Sequence, residues 1–142
     1  MTIAAILKNK GSEVATLSPT ATVAEAAAML AERRIGAAPV MDGDSVAGIF
    51  SERDLLHCLH ADGAAALQRQ VAEVMTSPAC TVGPGEPVIG ALSLMTRRRI
   101  RHLPVLVEGR LAGFVSIGDL VKYRIDRIEA DAAAMREYIQ SA

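Results

Sequence analysis

The sequence predicts a mixed α/β fold (α+β type) made of two copies of one small unit, related by pseudo-two-fold symmetry. The first observation is an internal repeat: when Gly48 is laid over Gly113, residues 16–55 align with 81–120 without a gap. The second is that both copies show the same order of strand-like and helix-like segments, β-α-β-β-α. The third is that 51% of the 142 residues are hydrophobic, which is enough apolar surface for a compact core.

The first long helix of each copy is predicted by its start signals and its apolar spacing. In "TVAEAAAMLAERRI", Thr22 is an N-cap candidate with Glu25 three residues later, and apolar residues follow at helical intervals. In the second copy Pro87 suits the first helical position, and "VIGALSLMTRRRI" continues the pattern. We therefore expect an equivalent helix in each copy.

A β-hairpin and a further helix follow in each copy. "APVM" and "VAGIF" flank the turn Asp42-Gly43-Asp44, and "LPVLV" and "RLAGFV" flank Glu108-Gly109. The next helix is "ERDLLHCLH" in the first copy. In the second it is the longer "DLVKYRIDRIEADAAAMREYI", whose apolar residues at three-four spacing predict one amphipathic helix that packs on a partner.

The repeat also predicts how the chain is divided. We expect a first repeat at 3–60, a connector at 61–70, a second repeat at 71–128 and a C-terminal helical extension at 129–142.

The segments "IGAAPVMDGDSVAGIFSERDL" and "IRHLPVLVEGRLAGFVSIGDL" make the chain resemble proteins built from two tandem CBS domains, a module first seen in cystathionine β-synthase. The resemblance covers about Ile3 to Ile128 and is strongest to stand-alone bacterial members of the family. It implies that the repeats pack through their sheets and leave two clefts for adenosine-bearing ligands. The helix after each final strand would line a cleft.

The pattern Gly-x-x-Ser-x-x-Asp occurs in both copies, at the junction of a strand and a helix. A helix start offers free N–H groups and a partial positive charge, so Ser51 or Ser116 could help to hold a phosphate. The two oxygens of Asp54 or Asp119 match the two hydroxyls of a ribose diol. Ser-x-x-Asp also caps a helix without any ligand, so the pattern alone leaves both interpretations open.

The motif and the resemblance together indicate a set of candidate ligand-binding residues. Residues before Pro39 and Pro104 should be extended and could offer backbone groups to a base. Arg53 precedes one aspartate where Gly118 precedes the other, so the two clefts need not be equivalent. The full set is Thr16, Ala37, Ala38, Ser51, Arg53, Asp54, Thr81, Arg101, His102, Leu103, Ser116, Gly118 and Asp119.

Catalytic and metal sites are not predicted. His57, Cys58 and His60 lie close together, but no further ligand motif completes a tetrahedral site. Lys8 and Lys10 have no phosphate-loop context, and no nucleophile motif is present. We therefore expect a protein that is not an enzyme.

Charge and composition argue against nucleic acid and membrane as partners. The net charge is −1, and the chain has two tyrosines, two phenylalanines and no tryptophan on which bases could stack. No apolar run reaches the length of a membrane span, and the N-terminus lacks the features of a signal peptide. With only two cysteines, the chain is expected in the cytoplasm.

The expected function is that of a regulatory module which senses an adenine nucleotide and transmits its binding to a target protein. AMP, ADP, ATP, NAD(H) and S-adenosylmethionine all fit the resemblance. A homodimer is expected, since a single chain would leave apolar helix faces exposed. Two alternatives remain: an adaptor dimer with vestigial clefts, and a nucleic-acid-binding regulator using Arg97 to Arg101 with Lys122, Arg124 and Arg127.

Overall fold

The structure, a computed structural model, describes residues 1–11 and 13–141. Each repeat contributes a helix, a two-stranded hairpin and a second helix, joined by shorter helical segments. The elements are α1 (Ile3–Lys10), α2 (Val23–Arg33), β1 (Ala37–Asp42), β2 (Ser45–Ser51), α3 (Glu52–Asp62), a 3-10 helix (Gly63–Gln68), α4 (Val71–Val74), α5 (Val88–Arg98), β3 (His102–Val107), β4 (Arg110–Ser116) and α6 (Ile117–Ser141).

Two small antiparallel sheets, β1-β2 and β3-β4, form the centre of the repeats. Their registers are equivalent, with Val40 opposite Gly48 and Val105 opposite Gly113, and each has a bulge immediately after that pair. In place of the leading strand that the sequence predicted, each repeat has a single isolated parallel bridge, from Leu17 to Val40 or from Val82 to Val105. The predicted mixed α/β fold is confirmed.

The first helix of each repeat begins and ends in an equivalent way, with one difference from the prediction. Thr22 caps α2 by accepting a hydrogen bond from the Glu25 amide (3.1 Å). Pro87 has extended backbone (ψ 144°) and is the N-cap of α5, so its prediction as the first helical residue is wrong by one position. Both helices end at an arginine in the left-handed conformation, Arg34 (φ 55°) and Arg99 (φ 54°), which turns the chain into the following strand.

The two cores exchange their leading helices. Ile3 and Ile6 of α1 are buried in the core of the second repeat. Ala66 and Val71, from the connecting segments, are buried in the core of the first repeat. The core of the second repeat is therefore completed by a helix from the start of the chain, and the core of the first repeat by the segment that follows α3, which joins the repeats into one unit.

The glycine of each repeat's motif lies where another segment approaches the sheet. A Cβ on Gly48 would lie 2.6 Å from the carbonyl oxygen of Thr76, and a Cβ on Gly113 would lie 2.6 Å from the end of the Leu7 side chain. Neither distance is compatible with an alanine unless a neighbour moves. The glycines therefore allow close packing within the chain.

The C-terminal segment is one continuous helix of 25 residues, as predicted. Leu120 is completely buried, but every described residue from Ile125 onwards is exposed. Among residues 1–11 and 13–141, no helix is long and apolar enough to cross a membrane.

Candidate functional site

The junction of β4 and α6 forms the Ser-x-x-Asp cap that the sequence suggested. The Ser116 amide donates a hydrogen bond to Asp119 Oδ2 (2.8 Å), and the Asp119 amide donates one to Ser116 Oγ (3.1 Å). These reciprocal bonds satisfy two of the free groups at the helix start and fix the Asp119 carboxylate at the end of the strand.

Lys10, at the C-terminal end of α1, reaches the same carboxylate. Its Nζ lies 2.6 Å from Asp119 Oδ2 and also donates to the carbonyl oxygen of Phe114 (2.7 Å). Partial burial raises the pKa of Asp119, but the hydrogen bonds from Lys10 and Ser116 outweigh this and hold the pKa below its ordinary value. Asp119 is therefore ionised at neutral pH.

The two motif aspartates differ in whether Oδ1 already accepts a hydrogen bond. Both bonds to the Asp119 carboxylate use Oδ2, and within the described residues Oδ1 accepts no hydrogen bond. At the equivalent position in the first repeat, Asp54 Oδ2 accepts from Ser51, and Oδ1 accepts from the Thr76 hydroxyl (2.9 Å). The two aspartates have the same motif but differ in their capacity for a further partner.

A cavity of about 490 Å³ lies beside Asp119, between the end of α2 and the second hairpin. Its walls carry three cationic and two acidic side chains together with two aromatic rings. The lining residues are Lys10, Glu13, Val14, Ala15, Arg33, Arg34, Ile35, Gly36, Ala37, His102, Phe114, Ser116 and Asp119. A cavity of this size is within the range of about 300–1,000 Å³ that is usual for small-molecule sites.

One wall of this cavity is a pair of stacked rings. The centroids of His102 and Phe114 are 5.5 Å apart, and their planes differ by 12°. Burial lowers the pKa of His102, and the positive charge of Lys10 lowers it further, against the opposing effect of Asp119. The imidazole is therefore neutral at neutral pH, and this part of the lining carries no charge.

In the first repeat, a hydrogen bond from Arg53 crosses the region beside Asp54 that is equivalent to the cavity. Arg53 Nη1 donates a hydrogen bond to the carbonyl oxygen of Arg99 (2.9 Å) and so connects α3 to the end of α5. In the second repeat the residue before the aspartate is Gly118, which has no side chain to make the corresponding contact with Arg34. The difference between Arg53 and Gly118 leaves the space beside Asp119 open.

The structure brings some of the sequence-predicted site residues together and places others elsewhere. Ala37, His102, Ser116 and Asp119 line the cavity. Ser51, Arg53 and Asp54 lie on the bridged side. The others lie in neither group: Ala38 and Leu103 are in the cores, Thr81 is half-buried, and Thr16, Arg101 and Gly118 are exposed.

Several residues of the cavity were missed by the sequence analysis. Arg33 and Arg34 had a usable signal, because they align with Arg98 and Arg99 in the repeat. Lys10 had none, because it meets Asp119 across 109 positions of sequence. Only the packing of α1 on the second repeat puts this lysine at the cavity.

Comparison with known proteins agrees with this architecture. The family profile described as "CBS domain" matches residues 10–61 and 71–126. A CBS domain-containing protein of Bacillus subtilis is 32% identical over 122 residues, which are 86% of this chain and 86% of that protein.

Solved structures show the same fold. A CBS-domain containing protein of Agrobacterium tumefaciens superposes with a TM-score of 0.85 at 40% identity and covers 87% of this chain and 99% of its own. A CBS domain protein of Pyrobaculum aerophilum, complexed with AMP, gives a TM-score of 0.74 at 30% identity and covers 84% and 89% of the two chains. With both repeats matched by the family profile and the paired fold shared with these structures, this chain belongs to the CBS domain family and consists of a tandem pair of such domains.

Proposed function

We propose that this chain is a non-catalytic regulatory module that binds an adenine nucleotide in the cavity beside Asp119. The observation that carries the proposal is the ionised Asp119 carboxylate, which lines a cavity of ligand size and keeps one oxygen without a partner among the described residues. A carboxylate in this state is suited to accept hydrogen bonds from the hydroxyls of a ribose.

The other walls supply the remaining parts of a nucleotide site. His102 and Phe114 contribute uncharged rings to the lining, which suit contact with the aromatic ring of a base. Lys10, Arg33 and Arg34 are the cationic groups of the cavity and would balance the charge of a phosphate. Base, sugar and phosphate each have a chemically matched surface within one cavity.

AMP is the first ligand we propose. The Pyrobaculum protein, which shares the fold at 30% identity, was solved with AMP. NAD(H) is proposed as a further ligand, because Arg33 and Arg34 both line the cavity and could each contact one phosphate of a pyrophosphate. ADP, ATP and S-adenosylmethionine remain alternatives for the same site.

Lys10 provides a route by which binding could reach a target protein. A ribose that donates hydrogen bonds to Asp119 Oδ1 would draw negative charge away from Oδ2 and so weaken its ion pair with the Lys10 ammonium, which lies 2.6 Å from Oδ2. Lys10 ends α1, and α1 is packed into the core of the second repeat. We infer that the ligand shifts the position of α1 relative to α6, and that a target protein responds to this change.

Calorimetry with AMP tests the proposal. Protein shown by mass spectrometry to carry no ligand should bind a single AMP per chain, and AMP should raise the melting temperature because it binds only the folded state. Uridine monophosphate is the matched control for the base. If neither AMP nor NAD(H) produces heat or a rise in melting temperature, the adaptor interpretation replaces the nucleotide-sensing one.

The functional unit is further proposed to be a homodimer. Leu56 is 66% exposed on α3 and Ile89 is 50% exposed on α5, in addition to the apolar residues of α6. A second copy of the chain is the partner we propose for these surfaces.

A further inference from the structure

The last helix carries an apolar stripe with no partner within the described chain. Along it, Val121 is 42% exposed, Ile125 49%, Ile128 53%, Met135 59% and Ile139 65%. Single exposed apolar residues are common on proteins, but a continuous row along one helix face indicates a contact surface. We call the following set the α6 stripe: Val121, Ile125, Ile128, Ala132, Met135 and Ile139.

The spacing of the α6 stripe is that of a coiled-coil seam. Successive members are separated alternately by four and three residues, which corresponds to the a and d positions of a heptad. With about 100° of rotation per residue, the stripe lies roughly a third of a turn from the side of α6 that carries the buried Leu120 and the half-buried Tyr123. The stripe is thus accessible to another helix while α6 stays packed on its own repeat.

We propose that two copies of this chain pair through the α6 stripe as a parallel two-stranded coiled coil. The charged residues beside the α6 stripe favour the parallel orientation of the two helices. Arg124 and Asp131 lie at g positions on one flank, and Glu129 and Arg136 lie at e positions on the other. In a parallel pair each g residue faces the e residue five positions further along the partner, so Arg124 meets the partner's Glu129 and Asp131 meets the partner's Arg136. Both contacts join opposite charges.

Antiparallel pairing is less compatible with the same charges. The antiparallel register that covers the whole stripe places Glu129 opposite the partner's Glu129 and Asp131 opposite the partner's Asp131. A shifted register that opposes Glu129 to the partner's Arg136 leaves Val121 and Ile125 with no residue of the partner's α6 stripe opposite them. Only the parallel arrangement buries the full stripe and pairs unlike charges on both flanks.

The geometry keeps dimer formation apart from the nucleotide cavity. On the helical wheel, Asp119 lies roughly half a turn from the centre of the α6 stripe. A two-fold axis along the paired helices puts the two globular parts on opposite sides of the coiled coil. This inference deepens the homodimer proposed above, and its failure can be distinguished from failure of nucleotide sensing because the AMP titration is run on the same variants.

A charge-reversal series on the full chain tests the pairing. Asp131→Arg places an arginine opposite the partner's Arg136 on each flank of the pair. It should therefore raise the dimer dissociation constant about tenfold, as measured by sedimentation equilibrium. Glu137→Arg makes the same charge change on the outer side of the helix and should leave the constant within about twofold. Asp131→Arg combined with Arg136→Asp should restore dimerisation, and all these variants should bind AMP like the wild type.

Cysteine cross-linking tests the orientation. Ile139→Cys should form a disulfide-linked dimer under mild oxidation, since parallel pairing puts the two positions side by side. Wild type, whose Cys58 is buried and Cys80 half-buried, is the control. The proposal is overturned by a monomeric wild type at tens of micromolar, by Asp131→Arg dimerising as tightly as Glu137→Arg, or by failure of Ile139→Cys to cross-link.

Discussion

The most direct test of the nucleotide site is a comparison of Asp119→Asn with Asp54→Asn. Both substitutions replace the aspartate of a Ser-x-x-Asp cap by a residue of the same size without the charge. If the motif only caps a helix, the two variants should behave alike. If Asp119 holds a ribose, only Asp119→Asn should weaken AMP binding, because both oxygens of Asp54 are already occupied by Ser51 and Thr76.

The structure allows the two effects to be estimated separately. The Lys10–Asp119 ion pair is partly exposed, with side-chain exposures of 38% and 27%, so its loss should cost about 1 kcal/mol of unfolding free energy. Asp54→Asn weakens the hydrogen bonds from Ser51 and Thr76 and should cost a similar amount, about 1 kcal/mol.

Ligand binding should separate the variants clearly. Hydrogen bonds to an ionised acceptor contribute about 1.5–3 kcal/mol each, and an amide oxygen keeps part of that. Asp119→Asn should therefore lower AMP affinity by about tenfold to a hundredfold, since about 1.4 kcal/mol is a factor of ten. Asp54→Asn should stay within about twofold of the wild type.

The assay is calorimetric titration of AMP, with chemical denaturation of each variant to measure its unfolding free energy. A 2',3'-dideoxy analogue of AMP is the complementary ligand: it should bind the wild type poorly and be nearly insensitive to Asp119→Asn. Equal AMP affinities for the wild type and Asp119→Asn, with a small loss of stability, would show that the motif is a helix cap alone.

Two further predictions concern stability. The pKa of Asp119 is lower in the folded state than in the unfolded chain, so its contribution to the free energy of unfolding should be complete above about pH 4 and should be lost as the pH falls through the folded-state value. The difference in unfolding free energy between the wild type and Lys10→Met, measured from pH 7 to 2, should therefore shrink only in that acid range. Gly48→Ala should destabilise by about 1–3 kcal/mol, because its Cβ would lie 2.6 Å from the carbonyl oxygen of Thr76, which belongs to the backbone. Gly113→Ala should cost less, since the end of a leucine side chain can rotate away, and equal losses for the two alanines in denaturant melts would contradict this reasoning.

The sequence by itself determined the repeat, the two hairpins and the longer helices α2, α3, α5 and α6, but it did not predict α1, α4 or the 3-10 helix. The predicted elements depend on interactions between residues a few positions apart. The hydrogen bond by which Thr22 caps α2 joins it to Glu25, three residues later. The turn at Glu108-Gly109 needs a positive φ at its second residue, and glycine adopts this conformation readily (Gly109, φ 78°). Pro87 was misplaced by one position because a proline suits both the first helical residue and the extended residue before it. The Ser-x-x-Asp caps were likewise local enough to predict.

Only the tertiary structure decided which of the two equivalent motifs faces an open cavity. Asp54 and Asp119 are indistinguishable in their local pattern, and their difference comes from groups brought in from elsewhere: Thr76 on one side and Lys10 on the other. The bridge from Arg53 to the Arg99 carbonyl joins the two repeats in the same way. These contacts form only when α1 packs on the second repeat and the segment after α3 packs on the first. The residues around each motif do not determine which distant segment will lie beside it.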